Sequence, residues 1–202
     1  MREPGSWDDF RNILCVRPDN MGDVLMTSPA IRALKNSGKD RKITLLTSGT
    51  GSRIAKFIPE IDDIIEFDLP WYKHEADSGA LVSDLTEKLR EGHFDAAVIF
   101  TVYSQNPLPT AMLCYLAGIP SIAGYCRENP YRLMTHWIPD EEPLYKIRHE
   151  VTRQIDLVRS LGAEPAQEEL SLEVPQGAGE KALAKLRAAG LNTEEPWLII
   201  HG

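Results

Sequence analysis

The chain is poor in the residues and motifs that mark many enzyme classes. It has only three cysteines, Cys15, Cys114 and Cys126, and no C-x-x-C spacing. So odd and scattered a set argues against both a disulfide framework and a zinc site; Cys15 and Cys114 are expected in the core. No apolar run approaches the roughly 20 residues that cross a bilayer. The opening MREPGSWDDFRN lacks the basic and apolar regions of a secretory leader, so a cytoplasmic protein is expected. Lys and Arg number 22 against 30 Asp and Glu, for a net charge of −8, which argues against a nucleic-acid partner. There is no G-x-x-x-x-G-K-[ST], H-E-x-x-H, G-x-S-x-G or D-x-D, and the histidines are dispersed. A P-loop nucleotidase is excluded, and a metal-dependent transferase is disfavoured.

What remains is the composition of an ordinary soluble globular protein, 43% hydrophobic and 26% charged. Its 202 residues suit one generous α/β domain, or one domain and the beginning of a second. Charge is unevenly spread. Residues 11 to 56 hold nine Lys or Arg against Asp19, Asp23 and Asp40, a net +6. That stretch either draws an anionic substrate or decorates a helix end where cations are favoured.

Apolar runs of strand length recur at NILCV (12 to 16), ITLL (43 to 46), DIIEF (63 to 67), AAVIF (96 to 100) and WLII (197 to 200). Helical spacing separates them, as in Leu81, Leu85 and Leu89, or Val151, Ile155 and Val158. This alternation predicts an α/β fold, a Rossmann-like parallel sheet with helices on both faces. Ligands of such sheets bind outside the carboxyl ends of the strands. That rule nominates loops 17–23, 47–52, 68–77, 101–107 and 124–136.

The tail differs. LGAEPAQEELSLEVPQGAG is acidic and turn-rich, with LEV (172 to 174) as a short strand candidate, and a helix over about 179 to 189 is stopped by Gly190. The expected division is a Rossmann-like domain over 1–162, a linker and helix over 163–194, and the first strand of a second α/β domain over 195–202.

The junction RPDNMGDVLMTSPA (17 to 30) is unusually polar. Its helix begins either at Asp23 or at Ser28-Pro29, with Ser28 as cap. Asp23 is accordingly either a helix cap or a general base, and Asp19 is suited to fixing the turn as an Asx residue. SGTGSRI (48 to 54) has Ile54 where a dinucleotide fingerprint wants its third glycine, so it reads as a strand-to-helix turn rather than an NAD site. Trp71, Tyr72 and Lys73 either stack on a sugar and meet a phosphate or cover the edge of the core. Thr101, Ser104, Gln105 and Asn106 put four polar side chains at a strand's carboxyl end, the best evidence in the residues themselves for a ligand site.

Taken in order, RPDNMGDVLMTSPAIRAL, FDLPWYK, FDAAVIFT, YLAGIPSIAGY and RHEVTRQIDLVRSLGA resemble the ADP-heptose lipopolysaccharide heptosyltransferases, glycosyltransferase family nine, from about residue 12 to 202. The resemblance implies the N-terminal half of a GT-B enzyme, which is inverting and metal-independent and uses no cofactor. Such an enzyme moves a heptose or related sugar from ADP-heptose or another nucleotide-sugar to a lipid-linked glycan such as a lipopolysaccharide core. The aspartate of the family's M-G-D element is here Asp23, with the implied role of general base. Acceptor contacts are implied for Asp19, Asn20, Met21, Gly22, Trp71, Tyr72, Lys73, Thr101, Ser104, Gln105, Asn106 and Arg127. The family's donor-binding half has no counterpart before Gly202, so this chain alone is expected to be inactive. Peripheral contact with the cytoplasmic face of the inner membrane is a further expectation. The competing reading is a non-catalytic glycan- or lipid-binding module, or a half-enzyme needing a donor-binding partner.

Overall fold

The computed structural model describes residues 6 to 72 and 78 to 200. It divides into two compact units, Met1–Leu172 and Glu173–Gly202. In the first, strands β1 (Asn12–Arg17), β2 (Lys42–Thr47), β3 (Asp63–Glu66), β4 (Ala96–Ile99), β5 (Ser121–Cys126) and β6 (His136–Pro139) alternate with helices α1 (Met21–Asn36), α2 (Gly49–Ala55), α3 (Ser78–Glu91), α4 (Leu108–Leu116) and α5 (Glu150–Arg159). All six strands are parallel, in the order β3-β2-β1-β4-β5-β6. The expected Rossmann-like architecture is present.

The strands read as continuous apolar runs because both faces are covered. Successive residues point to opposite sides. Ile13, Cys15, Ile43, Leu45, Ala96 and Val98 face one core with Ile31 and Leu34 of α1 and Ile155 and Val158 of α5. Leu14, Val16, Leu46, Ala97 and Ile99 face the other, with Leu85 and Leu89 of α3 and Leu113 and Cys114 of α4. Each fully buried Val, Leu or Ile among them contributes about 1.5 to 3 kcal/mol. Cys15 and Cys114 lie in these two cores, where burial pushes their thiols up.

Helix α1 starts earlier than either expected position. Asn20 is the N-cap, Asp23 is the third helical residue, and Pro29 lies inside the helix. A proline there cannot donate to the carbonyl four residues back. The Ser28 hydroxyl donates to that carbonyl, Leu25 O, at 2.7 Å instead. Ser28 is therefore a repair within the helix rather than its cap.

Strands β5 and β6 are not among the expected runs. SIAGYC carries Gly124, where a Cβ would lie 2.8 Å from Met134 Cε and 3.1 Å from Ile99 O, so close packing excludes the branched residues that advertise a strand. HWIP sits at the sheet edge, where a proline is tolerated. The loop expected over 124–136 is accordingly shorter: residues 124 to 126 belong to β5, and His136 begins β6.

The first unit extends past 162. Arg32 donates to the carbonyls of Gln167 (3.2 Å) and Glu169 (2.6 Å), and the Ser171 N–H donates to Ser28 Oγ at 2.9 Å. These bonds fasten residues 163–172 to α1. The second unit contains α6 (Ala178–Ala188), which follows Gly177 at φ 76°. Past it, Gly190 takes φ 91° and Leu191 N–H donates to Leu186 O, closing the helix where the glycine predicted. Neither LEV nor WLII forms a strand, and Leu198, Ile199 and Ile200 are exposed. An apolar run becomes a strand only where a neighbouring strand takes up its backbone groups.

Candidate functional site

Strand order reverses direction between β1 and β4, so the β1–α1 and β4–α4 loops border the crevice in which doubly wound sheets bind ligands. The centre of that crevice is Arg17. Its side chain is 0% exposed, and it ends β1. Its guanidinium meets three carboxylates: Nε lies 2.9 Å from Asp19 Oδ2, and Nη2 lies 3.3 Å from Asp23 Oδ1 and 2.9 Å from Glu150 Oε1. A guanidinium fork suits such convergence and loses less solvation than a lysine would.

Asp23 is held on the first turn of α1. Its Oδ2 accepts the N–H of Asn20 at 3.3 Å, the reciprocal half of a capping box, while its side chain stays 27% exposed. The sequence alternatives of cap and base thus meet in one residue, with the carboxylate oriented but still open. Asp19 is more enclosed, and Gln105 Nε2 donates to its Oδ1. Burial pushes the Asp19 carboxyl above its ordinary range. Arg17 and Gln105 pull it down, and the charges of Asp23 and Glu150 push it up again.

The remaining walls come from several elements. Ser48 caps α2, accepting Gly51 N–H at 3.0 Å, and its hydroxyl donates to Asp19 O at 2.6 Å. SGTG is thus a strand-to-helix turn that also braces the β1–α1 loop. Thr50 Oγ1 donates to Asn20 Oδ1 at 3.3 Å, while Met21 and Gly22 are exposed on the same turn. The Thr101 carbonyl accepts from Arg153 Nε (2.9 Å) and Gln154 Nε2 (3.0 Å), and Gln154 Nε2 also donates to Glu150 Oε1 at 2.5 Å. Helix α5 therefore closes the crevice from behind. Arg17, Glu150 and Gln154 were not among the expected site residues; the pattern shows only an amphipathic helix, and nothing local marks the face that reaches Arg17.

Tyr72 packs on the second core, with its buried hydroxyl near enough to Asp19 and Arg17 to feel their charges. Burial, more than Asp19, pushes that phenol up. Trp71 turns elsewhere, its Nε1 donating to Thr110 Oγ1 on α4 at 3.3 Å. Lys73 lies outside the described residues. Ser104, Gln105, Asn106 and Arg127 line a second, polar cavity of about 300 Å³, together with Tyr125, Glu128 and Asp140. Arg127 Nη2 donates there to the carbonyls of Tyr103 and Glu142, and Asn106 Nδ2 donates to Glu128 at 2.9 Å. Gln105, bonded to Asp19, is the wall common to the cavity and the crevice. The larger cavity of about 710 Å³, lined by residues such as Ile119, Pro120 and Thr135, opens at the amino ends of β5 and β6, away from Asp23.

Apart from Arg17, four of the cations in residues 11 to 56 lie away from this site. Lys35 pairs with Asp62, Lys42 with Asp63 and Arg11 with Asp40, and Arg41 donates to the Phe10, Leu34 and Trp7 carbonyls. These groups sit at the amino ends of the strands and the carboxyl end of α1, where the helix dipole favours cations.

No protein-family model matches the sequence, and no curated protein is significantly similar to it. Solved structures do match. A glycosyl transferase family 9 protein from Veillonella parvula superposes with a TM-score of 0.72 at 19% identity, over 95% of this chain and 53% of that one. The fold is that of the family 9 glycosyltransferases. The E. coli ADP-heptose LPS heptosyltransferase II matches with a TM-score of 0.64 at 24% identity, over 92% of this chain and 52% of that one. E. coli heptosyltransferase WaaC, solved with ADP-2-deoxy-2-fluoro heptose, matches with a TM-score of 0.59 at 20% identity, over 91% and 56%. The chain therefore spans about half the length of these glycosyltransferase structures. Among the described residues no helix is long and apolar enough to cross a membrane, and no group of His, Cys, Asp and Glu is disposed to hold a metal ion.

Proposed function

We propose that this chain is the acceptor-binding half of an inverting, metal-independent glycosyltransferase. In this reading it moves a heptose or related sugar from a nucleotide-sugar, ADP-heptose or a close analogue, to a lipopolysaccharide core or similar lipid-linked glycan at the cytoplasmic membrane face. The observation that carries the proposal is the placement of Asp23: a partly exposed carboxylate on the first turn of α1, at the strand-order reversal, oriented by Arg17 and by the Asn20 N–H. The likeness to heptosyltransferase structures supports it.

In this mechanism an acceptor hydroxyl donates to Asp23 and attacks the anomeric carbon from the face opposite the nucleoside diphosphate. The new C–O bond forms as the bond to the diphosphate breaks. The electron pair leaves with the nucleotide, and the proton ends on Asp23. General-base assistance of this kind contributes about 100- to 10,000-fold. Arg17 keeps the carboxylate aimed, and Glu150 and Gln154 keep Arg17 in place. The nucleotide-sugar is met by a donor-binding half corresponding to the remaining length of the solved relatives, and transfer requires both halves.

The test is Asp23→Asn in the enzyme with both halves present. Turnover falls by about 100-fold or more, while nucleotide-sugar affinity, measured by calorimetry, stays within error. Turnover near wild type would overturn the assignment and leave Asp23 a capping residue. Acceptor binding with no transfer from any nucleotide-sugar would favour a non-catalytic glycan- or lipid-binding module.

A further inference from the structure

We infer that the outer face of α4, with the apolar cavity beside it, docks on an anionic phospholipid membrane: a lipid tail enters the cavity and its phosphate meets Arg132. The inference deepens the acceptor reading above and rests on it for the choice of a membrane.

The first observation is the composition of the helix. Leu108–Leu116 reads LPTAMLCYL and holds no charged residue. Thr110, Ala111, Leu113 and Cys114 are buried, while Met112, Tyr115 and Leu116 on the opposite side are 40 to 54% exposed. The neighbouring helix α3 exposes Asp84, Glu87, Lys88 and Arg90 instead. A surface helix ordinarily turns its charged face to water, so a contiguous apolar stripe left outward marks a binding face.

The second observation is the cavity of about 710 Å³ beside that stripe, lined by Tyr115, Leu116, Tyr131 and Arg132 among others. Its volume is in the range of small-molecule sites. Tyr131 is 84% exposed and takes φ 51°, a left-handed conformation unusual for so bulky a residue. Asn129 Oδ1 holds it there by accepting its N–H at 2.8 Å. Strained backbone of this kind concentrates at ligand clamps.

The third observation selects the occupant. No carboxylate lines the cavity, and Arg132, its one charged wall residue, is exposed with no hydrogen-bond or ion-pair partner among the described residues. An apolar cavity carrying one free guanidinium complements a lipid, with the tail inside and the phosphate at the rim. Arginine snorkels to such a boundary, and tyrosines such as Tyr115 and Tyr131 favour the membrane interface. Helix α4 also begins where the polar cavity ends, since Asn106 lines that cavity and its Oδ1 accepts Leu108 N–H at 2.9 Å. A membrane against α4 therefore lies along the edge of the cavity that Gln105 shares with Asp19.

The experiment is sedimentation of the whole chain with vesicles of phosphatidylcholine alone, or of phosphatidylcholine and phosphatidylglycerol. The chain should bind the anionic vesicles more tightly than the neutral ones. Leu116→Glu and Met112→Glu, at exposed positions where glutamate is a good helix former, should each weaken that binding by about tenfold or more. Arg132→Gln should weaken it by about fivefold, on the anionic vesicles alone. Ile199→Glu, in the exposed apolar run of the second unit, should leave it unchanged. No binding to anionic vesicles would overturn the inference, and so would binding that Ile199→Glu removes and Leu116→Glu spares. Self-association without vesicles, abolished by Leu116→Glu, would also overturn it and assign the face to a second copy of the chain. Neither sugar nor turnover enters this measurement, so its failure leaves the Asp23 assignment standing, and near wild-type turnover of Asp23→Asn leaves the membrane face standing.

Discussion

Arg17 Nη2 stands 2.9 Å from Glu150 Oε1, joining the last residue of β1 to the first residue of α5. Through this contact the helix that packs beside α1 also sets the geometry of Asp23. Replacing Arg17 by Leu would leave three carboxylates around a buried centre. Removing one partner from a buried ionic group costs about 3 to 5 kcal/mol, so the variant should lose that much in urea denaturation. A loss below about 1 kcal/mol would mean that the cluster is solvated and holds nothing in place.

Asp19 should behave oppositely. Its carboxyl is raised, first by burial. A raised folded value means that folding favours the protonated form; the stabilisation is complete below the ordinary carboxyl range and is lost as pH rises through the raised value. At neutral pH, Asp19→Asn should therefore melt at or above the wild-type temperature, with the difference vanishing near pH 3. A marked fall in melting temperature at neutral pH would show that the bond from Gln105 outweighs desolvation.

The second buried network titrates with the other sign. Glu142 accepts Arg148 N–H at 2.5 Å and Arg148 Nε at 3.0 Å and also pairs with Arg153, whose Nη1 and Nη2 reach Asp140 at 2.8 and 3.0 Å. Burial pushes both carboxyls up, but these bonds outweigh it and hold them below the ordinary range. Their stabilisation is present above the unfolded values and drains away as pH falls through the depressed ones. Glu142→Gln should be most destabilising at neutral pH, with the gap to wild type closing below about pH 4. A gap constant from pH 7 to pH 3 would contradict this.

Gly51 is the close contact between α2 and the site. A Cβ there would lie 2.1 Å from Thr47 Oγ1, 3.0 Å from Val24 Cγ2 and 3.2 Å from Asp19 O. Thr47 Oγ1 donates to Arg17 O at 2.7 Å, so the displacement would be passed to β1. Gly51→Ala should cost about 1 to 3 kcal/mol as overpacking and shift the Asp19 and Asn20 amide resonances. Unchanged resonances would place the strain elsewhere.

The sequence by itself determined the layered α/β plan. Continuous apolar runs buried on both faces, and helices between them, follow from local backbone geometry and solvent exclusion, which any short window of residues records. It also located the loops at the carboxyl ends of the strands, and with them Asp19, Asp23, Thr101 and Gln105. Only the tertiary structure decided which charges meet. Arg17 looks like one cation in a basic stretch, yet it alone among Arg11, Arg17, Lys35, Arg41 and Lys42 ends a strand at the site; Arg11 and Arg41 immediately precede β1 and β2, Lys42 begins β2 and Lys35 lies in the last turn of α1, all at the opposite pole. Glu150 and Gln154 reach the crevice through the packing of α5 on the sheet, and WLII, apolar enough for a strand, forms none without a neighbour to pair with. Pairing partners are long-range facts: burial makes an ion pair or a ladder favourable only where the fold delivers both members to the same place.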